Sequence, residues 1–258
     1  MKALRPFLFI VSFVLLVGLA CAFGGGKTTP PTAQPDAATD QPTTEAQPTS
    51  QDTSSATDTP EAQTSGGEQY YTETFDGNLD NYTWFNVGKG DDSDLHLTTD
   101  GGYLVFDLQE SNLWIYVTYN PFTYKDVSVE LTADNRGKNN NNVSLLCRYN
   151  KEEGWYEFNI ANNGLYNIYA FDATGAVRKG YNRIADGASN LVKQGKNVNT
   201  YGASCVGGKL TLTINGTQVR TFTDTKYQFR EGKVGFSVSS LDVTPIVVNV
   251  DSFAISEP

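Results

Sequence analysis

The chain has 258 residues and a formal net charge of −10, so one sizeable domain with extensions is expected. This acidic balance argues against a nucleic-acid partner, because phosphates require a basic surface, and it provides no attraction to an anionic membrane. Aromatic residues make up 12% of the chain. Together with frequent glycines and short alternating runs, they predict an all-β domain.

The first 21 residues are typical of an export signal. Lys2 and Arg5 precede an apolar run at residues 6–19 that is too short for a confident spanning helix. The run ends in Val17-Gly-Leu-Ala-Cys21, which resembles the lipobox of bacterial lipoproteins, although Gly18 stands where Leu is usual. The resemblance implies that Cys21 is acylated and anchors the chain to the bacterial cell membrane, with the domain on the extracytoplasmic side. The alternative is an ordinary secretory signal with a chance cysteine.

Residues 22–68 form a low-complexity segment of Thr, Pro, Ala, Gln, Asp and Ser. Such a composition buries too little apolar surface to offset the entropy of ordering, so a disordered tether is predicted. Residues 69–258 then form the folded domain.

Short runs of alternating apolar and polar residues recur throughout residues 69–258 and predict strands. No segment beyond the signal has a convincing helical spacing of apolar residues. About a dozen or more short strands indicate a two-sheet antiparallel sandwich. Outside the centre of the domain, the predicted strands are residues 70–75, 82–87, 95–98, 103–108, 113–119, 124–133, 197–206, 209–214, 218–222, 233–239 and 246–255.

The centre of the domain, residues 143–171, is predicted to form three consecutive strands. Asn163-Gly164 is a strong signal for a two-residue type I′ hairpin, because both residues tolerate positive φ. This turn pairs Glu157 with Ala170, and a reversal at residues 151–154 pairs Arg148 with Glu157. The Asn163-Gly164 turn also pairs Ala161 with Tyr166 and Asn159 with Ile168. The reversal at residues 151–154 also pairs Tyr149 with Tyr156.

Alternation of side chains divides these three strands into two faces. The inner, apolar face is predicted to hold Cys147, Tyr149, Tyr156, Phe158, Ile160, Tyr169 and Phe171. The opposite face is predicted to hold Arg148, Trp155, Glu157, Asn159, Tyr166 and Ile168. Because the second set mixes large aromatics with a cation, an anion and an amide, we predict that it binds a ligand. A following loop with Arg178, Lys179 and Tyr181 is placed at the border of this surface.

The strings Cys147-Arg-Tyr, Gly154-Trp-Tyr-Glu-Phe-Asn-Ile and Asn163-Gly-Leu-Tyr-Asn-Ile resemble the middle of concanavalin A-like lectin and glucanase jelly rolls. They are more closely similar to exported bacterial domains related to laminin-G-like and keto-disaccharide-hydrolase-type sandwiches. Residues 205–216, and residues 234–237 with 250–255, resemble later strands of those domains. The resemblance implies a jelly-roll fold over most of residues 69–258, and it leaves function open because this fold hosts lectins, hydrolases and adhesion modules.

The mixed face suits a carbohydrate. A sugar ring presents an apolar C–H face that stacks on an aromatic side chain, while its hydroxyls need polar partners. We therefore predict that Trp155 and Tyr166 stack on a carbohydrate or glycoconjugate, with Arg148, Glu157 and Asn159 as the polar partners. The alternative is that both aromatics pack under a neighbouring loop.

The same residues argue against catalysis. Glycoside hydrolysis usually needs two carboxyl groups, and the Glu-x-Asp-x-x-Glu strand of the glucanases in this superfamily is missing from the sequence. Arg148 beside Glu157 is expected to lower the pKa of Glu157, which is wrong for a general acid. The leading hypothesis is a monomeric, non-catalytic carbohydrate-binding domain. The alternatives are a glycoside hydrolase of the keto-disaccharide type and a laminin-G-like protein-interaction module.

The three cysteines fit an exported protein. If Cys21 is acylated, Cys147 and Cys205 remain as an even pair in an oxidising compartment, and a disulfide between them is predicted. The alternative is two buried free thiols.

No cofactor is expected apart from a candidate structural calcium ion. His96 is the sole histidine, so a histidine-based triad or a zinc site lacks partners. Asp91, Asp92 and Asp94 lack the spacing of an EF-hand and are interpreted as a solvated acidic turn. Asp251, in the last predicted strand, is the candidate calcium ligand.

Overall fold

The structure is a computed structural model in which residues 67–88 and 95–258 are described, apart from the side chains of Leu95 and His96. Within these residues the regular structure consists of fifteen strands and no helix. The strands are β1 (Tyr71–Glu73), β2 (Tyr82–Gly88), β3 (Leu95–Asp100), β4 (Tyr103–Leu108), β5 (Leu113–Tyr124), β6 (Val127–Asn135), β7 (Asn141–Asn150), β8 (Gly154–Ala161), β9 (Leu165–Asp172), β10 (Gly180–Ala188), β11 (Val198–Val206), β12 (Lys209–Ile214), β13 (Thr217–Thr223), β14 (Gly232–Ser240) and β15 (Ile246–Ser256).

The strands form two antiparallel sheets. The first sheet has the order β13-β12-β11-β6-β15-β4-β3, with β1 paired to β15, and the second has the order β10-β9-β8-β7-β14-β5-β2. Apolar side chains of both sheets meet in one core, to which Phe106 and Leu131 contribute from the first sheet and Phe158 and Phe236 from the second. The predicted two-sheet antiparallel jelly-roll sandwich is confirmed.

The predicted signal peptide, Cys21 and residues 22–66 of the predicted tether lie outside the described residues, as do Asp91, Asp92 and Asp94. Among the described residues, none belongs to a helix with the length and apolar character needed to cross a bilayer.

The hairpin between β8 and β9 differs from the predicted one. Gly164 donates its backbone N–H to the carbonyl of Ala161 at 2.9 Å, and Gly164 itself has a φ of 91°. The loop therefore has three residues, a turn at Asn162-Asn163 followed by a left-handed glycine. Ile160 then pairs with Tyr166, one residue away from the predicted register.

A shift of one residue turns every side chain of β9 to the opposite face. Tyr166 and Ile168, which we expected on the ligand face, are buried in the core between the sheets. Tyr169 and Phe171, expected in the core, lie on the outer face of the second sheet opposite Glu157 and Trp155. The observed register buries Ile168 and Ala170 completely, whereas the predicted one would have placed two large aromatic rings in the same layer.

The predicted pairing of Arg148 with Glu157 is also wrong. Arg148 has a φ of 55° at an irregularity between Cys147 and Asn150, and Glu157 pairs with Leu146 instead. The irregularity moves Tyr149 to the outer face, where it packs beside Trp155. It also places the buried guanidinium of Arg148 where it donates to the carbonyls of Lys125 and Phe229 at 2.9 and 2.8 Å.

The sequence analysis did not predict one of the strands. Residues 172–187 were expected to form a turn and a loop, but residues 180–188 form β10, the edge strand beside β9. A register shift between Arg183 and Ala185 interrupts the side-chain alternation in this strand. The period of two that reveals a strand is therefore weak here.

The predicted disulfide is confirmed. Cys147 on β7 and Cys205 on β11 are bonded, with their Cα atoms 6.6 Å apart. Because β7 belongs to the second sheet and β11 to the first, the bond joins the two sheets through the core.

Candidate functional site

The outer face of the second sheet, which is the face directed away from the first sheet, contains a cavity of about 320 Å³. We call it the first cavity. Its walls are mainly aromatic and its polar lining comes from the central strands β7 and β8. The lining residues are Val87, Trp114, Tyr116, Asn142, Glu157, Asn159, Tyr169 and Tyr181. Two predicted ligand residues, Glu157 and Asn159, are thus brought together in one concave site.

Glu157 lies at the floor of the first cavity and is 2% exposed. Its carboxylate accepts hydrogen bonds from the hydroxyl of Tyr116 at 3.0 Å and from the hydroxyl of Ser144 at 2.9 Å. The Tyr116 hydroxyl also lies 2.8 Å from the hydroxyl of Tyr181, which is 42% exposed. A chain of hydroxyl groups therefore connects the buried carboxylate with the surface.

Burial raises the pKa of Glu157 above its ordinary value of 4.5. Hydrogen bonds from Ser144, Tyr116 and Asn159 favour the ionised form and offset part of this increase. Arg148, which was expected to lower the pKa of Glu157, donates its hydrogen bonds elsewhere. The direction is therefore opposite to the predicted one, and the carboxyl group is suited to holding a proton.

The raised pKa of Glu157 predicts how the stability of the fold changes with pH. The folded pKa lies above the unfolded one, so the stabilisation from this group is fully present below about pH 4.5 and decreases as the pH rises through the folded value. We expect the free energy of unfolding of the wild type, minus that of Glu157→Gln, to fall as the pH rises above about 4.5, by at most about 1.4 kcal/mol per pH unit.

Denaturant unfolding at a series of pH values measures this difference. Glu130→Gln, at an exposed glutamate of the first sheet, is the matched control and should give a nearly constant difference. A constant difference for Glu157→Gln would show that its carboxyl group has an ordinary pKa.

Polar atoms that lack a partner lie in the first cavity, on Asn142, and beside it, on Ser237 and Ser239, which are not among the lining residues. Asn142 Oδ1, Ser237 Oγ and Ser239 Oγ are buried without a hydrogen bond among the described residues. Ser237 pairs with Ser144 and with Tyr116 across the neighbouring strands, and Ser239 pairs with Asn142 and with Trp114. Each such group costs free energy unless a partner satisfies it, and for Asn142, which lines the cavity, a ligand hydroxyl is a suitable partner.

The two serines were missed by the sequence analysis. The string Val234-Gly-Phe-Ser-Val-Ser alternates large apolar residues with small or polar ones, which indicates a strand with one polar face. Only the pairing of β14 with β7 and β5 places that face beside Glu157 and Asn159.

Trp155 lies on the predicted face but is only 5% exposed. Phe171 stacks on its ring with centroids 4.0 Å apart, and the rings of Tyr149 and Tyr181 lie 5.1 and 6.1 Å away. Neighbouring aromatic rings therefore cover the indole. This is close to the alternative in which Trp155 packs under a neighbouring loop and does not contact a ligand. Trp155 does not line the first cavity, and its direct contact with a ligand there remains a prediction.

The other predicted site residues lie elsewhere. Arg148, 2% exposed, lies with its guanidinium 6.0 Å from the ring of Tyr156 on the inner side of the sheet. Tyr166 is in the core. Of the three predicted border residues, Tyr181 lines the first cavity, and Arg178 and Lys179 do not.

Asp251 is exposed on β15, and the described residues contain no group of three or more His, Cys, Asp or Glu that could hold a metal ion. The side chain of His96 lies outside those described.

Comparison with solved structures gives the same architecture. A Bacillus subtilis protein of unknown function with a galectin-like fold superposes with a TM-score of 0.55 at 12% identity, over 74% of this chain and 97% of that chain. A Bacteroides ovatus mixed-linkage glucan GH16 protein in complex with its product gives 0.55 at 12% identity, over 72% and 99%. A Bacillus licheniformis beta-glucanase gives 0.54 at 15% identity, over 76% and 100%. At these identities the likeness shows the fold alone.

No curated protein matches the sequence. A family model does: the model described as a 3-keto-alpha-glucoside-1,2-lyase-like domain matches residues 70–247, which is more than half of the chain and nearly the whole sandwich. The chain therefore belongs to the family of 3-keto-alpha-glucoside-1,2-lyase-like domains.

Proposed function

We propose that the first cavity binds a carbohydrate or glycoconjugate without chemical change. The observation that carries this proposal is the convergence of Asn142, Glu157 and Asn159 in an aromatic-walled cavity, with Asn142 Oδ1 left without a hydrogen bond among the described residues. Sugar hydroxyls can satisfy such groups, because a hydroxyl both donates and accepts.

The walls of the first cavity supply the flat apolar surface that sugar binding also requires. Trp114 and Tyr169 are half-buried, so part of each ring remains accessible in the first cavity. An accessible ring offers a flat apolar surface to the C–H face of a sugar. The volume of about 320 Å³ falls at the lower end of the range of small-molecule sites, which fits one sugar unit rather than a long chain.

Truncation of an accessible ring tests the proposal. Trp114→Ala and Tyr169→Ala should each weaken binding by about tenfold or more, because each removes apolar area that the ligand buries. A glycan array identifies the ligand, and isothermal titration with the best-bound oligosaccharide measures the affinity. Tyr103→Ala, at a half-buried tyrosine of the first sheet, is the control and should bind as the wild type does. Binding of no glycan, or unchanged affinity in both variants, would refute the proposal.

A second candidate function is a lyase or hydrolase reaction on a keto-disaccharide, and one observation favours it. Glu157 is the one carboxyl group that lines the first cavity within the described residues, and its pKa is raised. In a 3-keto-glucoside the carbonyl group acidifies the hydrogen on C2. A base that removes this proton allows a C1–C2 double bond to form as the bond from C1 to the leaving oxygen breaks. A carboxylate with a raised pKa is a better base for this step.

Incubation of the wild type and the glutamate variants with a 3-keto-alpha-glucoside separates the two candidate functions. Release of the leaving sugar by the wild type, and its loss in Glu157→Gln but not in Glu130→Gln, would establish the second candidate. Binding without release supports the first.

Both candidates fit a lipoprotein. A domain tethered through a lipid on Cys21 would meet extracytoplasmic carbohydrates, and the low-complexity segment at residues 22–68 would hold it away from the membrane. Metabolic labelling with a fatty-acid analogue tests the anchor: label should appear in the wild type and not in Cys21→Ala.

A further inference from the structure

A second and larger cavity, of about 640 Å³, lies on the same outer face of the second sheet. Five aromatic residues line it, and the rings of four of them, Phe85, Tyr149, Trp155 and Phe171, form one cluster on this face; the fifth is Trp84. Trp84 is 50% exposed. Exposed aromatic surface of this kind is typical of sites that contact a ligand.

Aromatic rings that line the two cavities contact one another. Phe85, which lines the second cavity, stacks on Tyr116 of the first with centroids 5.0 Å apart and planes inclined by 9°. Trp155 meets the same ring edge-on at 6.4 Å, and Phe171 lies 4.7 Å from Tyr181. A ligand with two or more units that fills the first cavity can therefore extend over these rings into the second.

The charges of the second cavity contrast with those of the whole chain. The chain has a net charge of −10, yet the ionisable groups lining this cavity, apart from Tyr149, are Lys151 and Lys179. Neither ammonium group forms an ion pair with a carboxylate among the described residues. Glu152 and Glu153 follow Lys151 in the same turn but do not line the cavity.

We infer that the second cavity binds an acidic sugar unit, whose ring lies on the aromatic wall while its carboxylate or sulfate group meets Lys151 and Lys179. This inference rests on the proposed carbohydrate site and adds the class of its ligand: an oligosaccharide with a neutral unit in the first cavity and an anionic unit in the second. Two flexible ammonium groups at an exposed rim recognise an anion by charge rather than by fixed geometry, so both kinds of anionic sugar are accommodated.

Isothermal titration of the full chain with a matched set of ligands tests the inference. The set consists of a glucose disaccharide, the same disaccharide with one glucose oxidised to glucuronate, and the same disaccharide with one sulfate ester. The wild type should bind the acidic forms about three- to tenfold more tightly at low salt, since exposed ion pairs each contribute modestly. This preference should shrink as salt is added.

Two variants separate the charge effect from the site itself. Lys151→Met combined with Lys179→Met should lose the preference while it keeps the affinity for the neutral disaccharide. Lys209→Met, at an exposed lysine of the first sheet, should behave as the wild type does. Equal affinity for neutral and acidic disaccharides, or a preference that survives in the double variant, would overturn the inference and leave the carbohydrate site intact. If the wild type binds none of the three, the inference fails, while the proposed carbohydrate site is decided separately by the glycan array.

Discussion

Replacing both Cys147 and Cys205 by alanine is expected to lower the free energy of unfolding by about 4 kcal/mol, measured by denaturant unfolding of protein purified under oxidising conditions. The two residues are 58 positions apart and join the two sheets. In the chain-entropy account, a cross-link that closes a loop of this length reduces the entropy of the unfolded chain by an amount equivalent to about 4 kcal/mol at room temperature. This is a large share of the 5–15 kcal/mol that is typical of a domain.

A thiol reductant provides the internal control. Reduction should destabilise the wild type by a similar amount and should leave the double alanine variant unchanged. If the wild type unfolds at the same denaturant concentration with and without reductant, the bond is either not formed or makes no contribution to stability.

Trp155→Ala is expected to destabilise the fold by about 3 to 5 kcal/mol, the usual cost of truncating a buried large aromatic side chain. The indole is covered by Phe171, Tyr149 and Tyr181, and it also packs beside Tyr116. Its removal leaves a void that this cluster cannot close without moving Tyr116, which holds the carboxylate of Glu157. Denaturant unfolding measures the stability, and near-ultraviolet circular dichroism reports on the aromatic cluster.

Trp84→Ala is the matched control for this variant. Trp84 is half exposed on β2, an edge strand of the same sheet, so its truncation should cost less than about 1 kcal/mol. If both variants were equally stable, the indole of Trp155 would have to be solvated rather than packed. The consequence for binding studies is direct: lost binding in Trp155→Ala can reflect a disordered site, and Trp114 and Tyr169 are therefore the better probes.

The central strand β8 shows which structural features can be predicted from local sequence. Its residues alternate between the core, with Tyr156, Phe158 and Ile160, and the outer face, with Trp155, Glu157 and Asn159. The string Gly154-Trp-Tyr-Glu-Phe-Asn-Ile predicts this division correctly, because neighbouring side chains in a strand point to opposite faces whatever the partner strands are. The disulfide was predicted on the condition that Cys21 is acylated, which leaves Cys147 and Cys205 as the remaining pair.

What the sequence by itself determined was therefore the two-sheet class, the disulfide, and the faces of the most regular strand. What only the tertiary structure decided was which neighbouring side chains share the site with Glu157. The run Asn162-Asn163-Gly164 permits a two-residue or a three-residue turn, and only the burial of Ile168 in the core selects the second. The positive φ of Arg148 and the placement of Ser237 beside Tyr116 depend on pairing with β14. β14 lies more than 80 residues away along the chain from β7, and no local pattern specifies a contact at that separation.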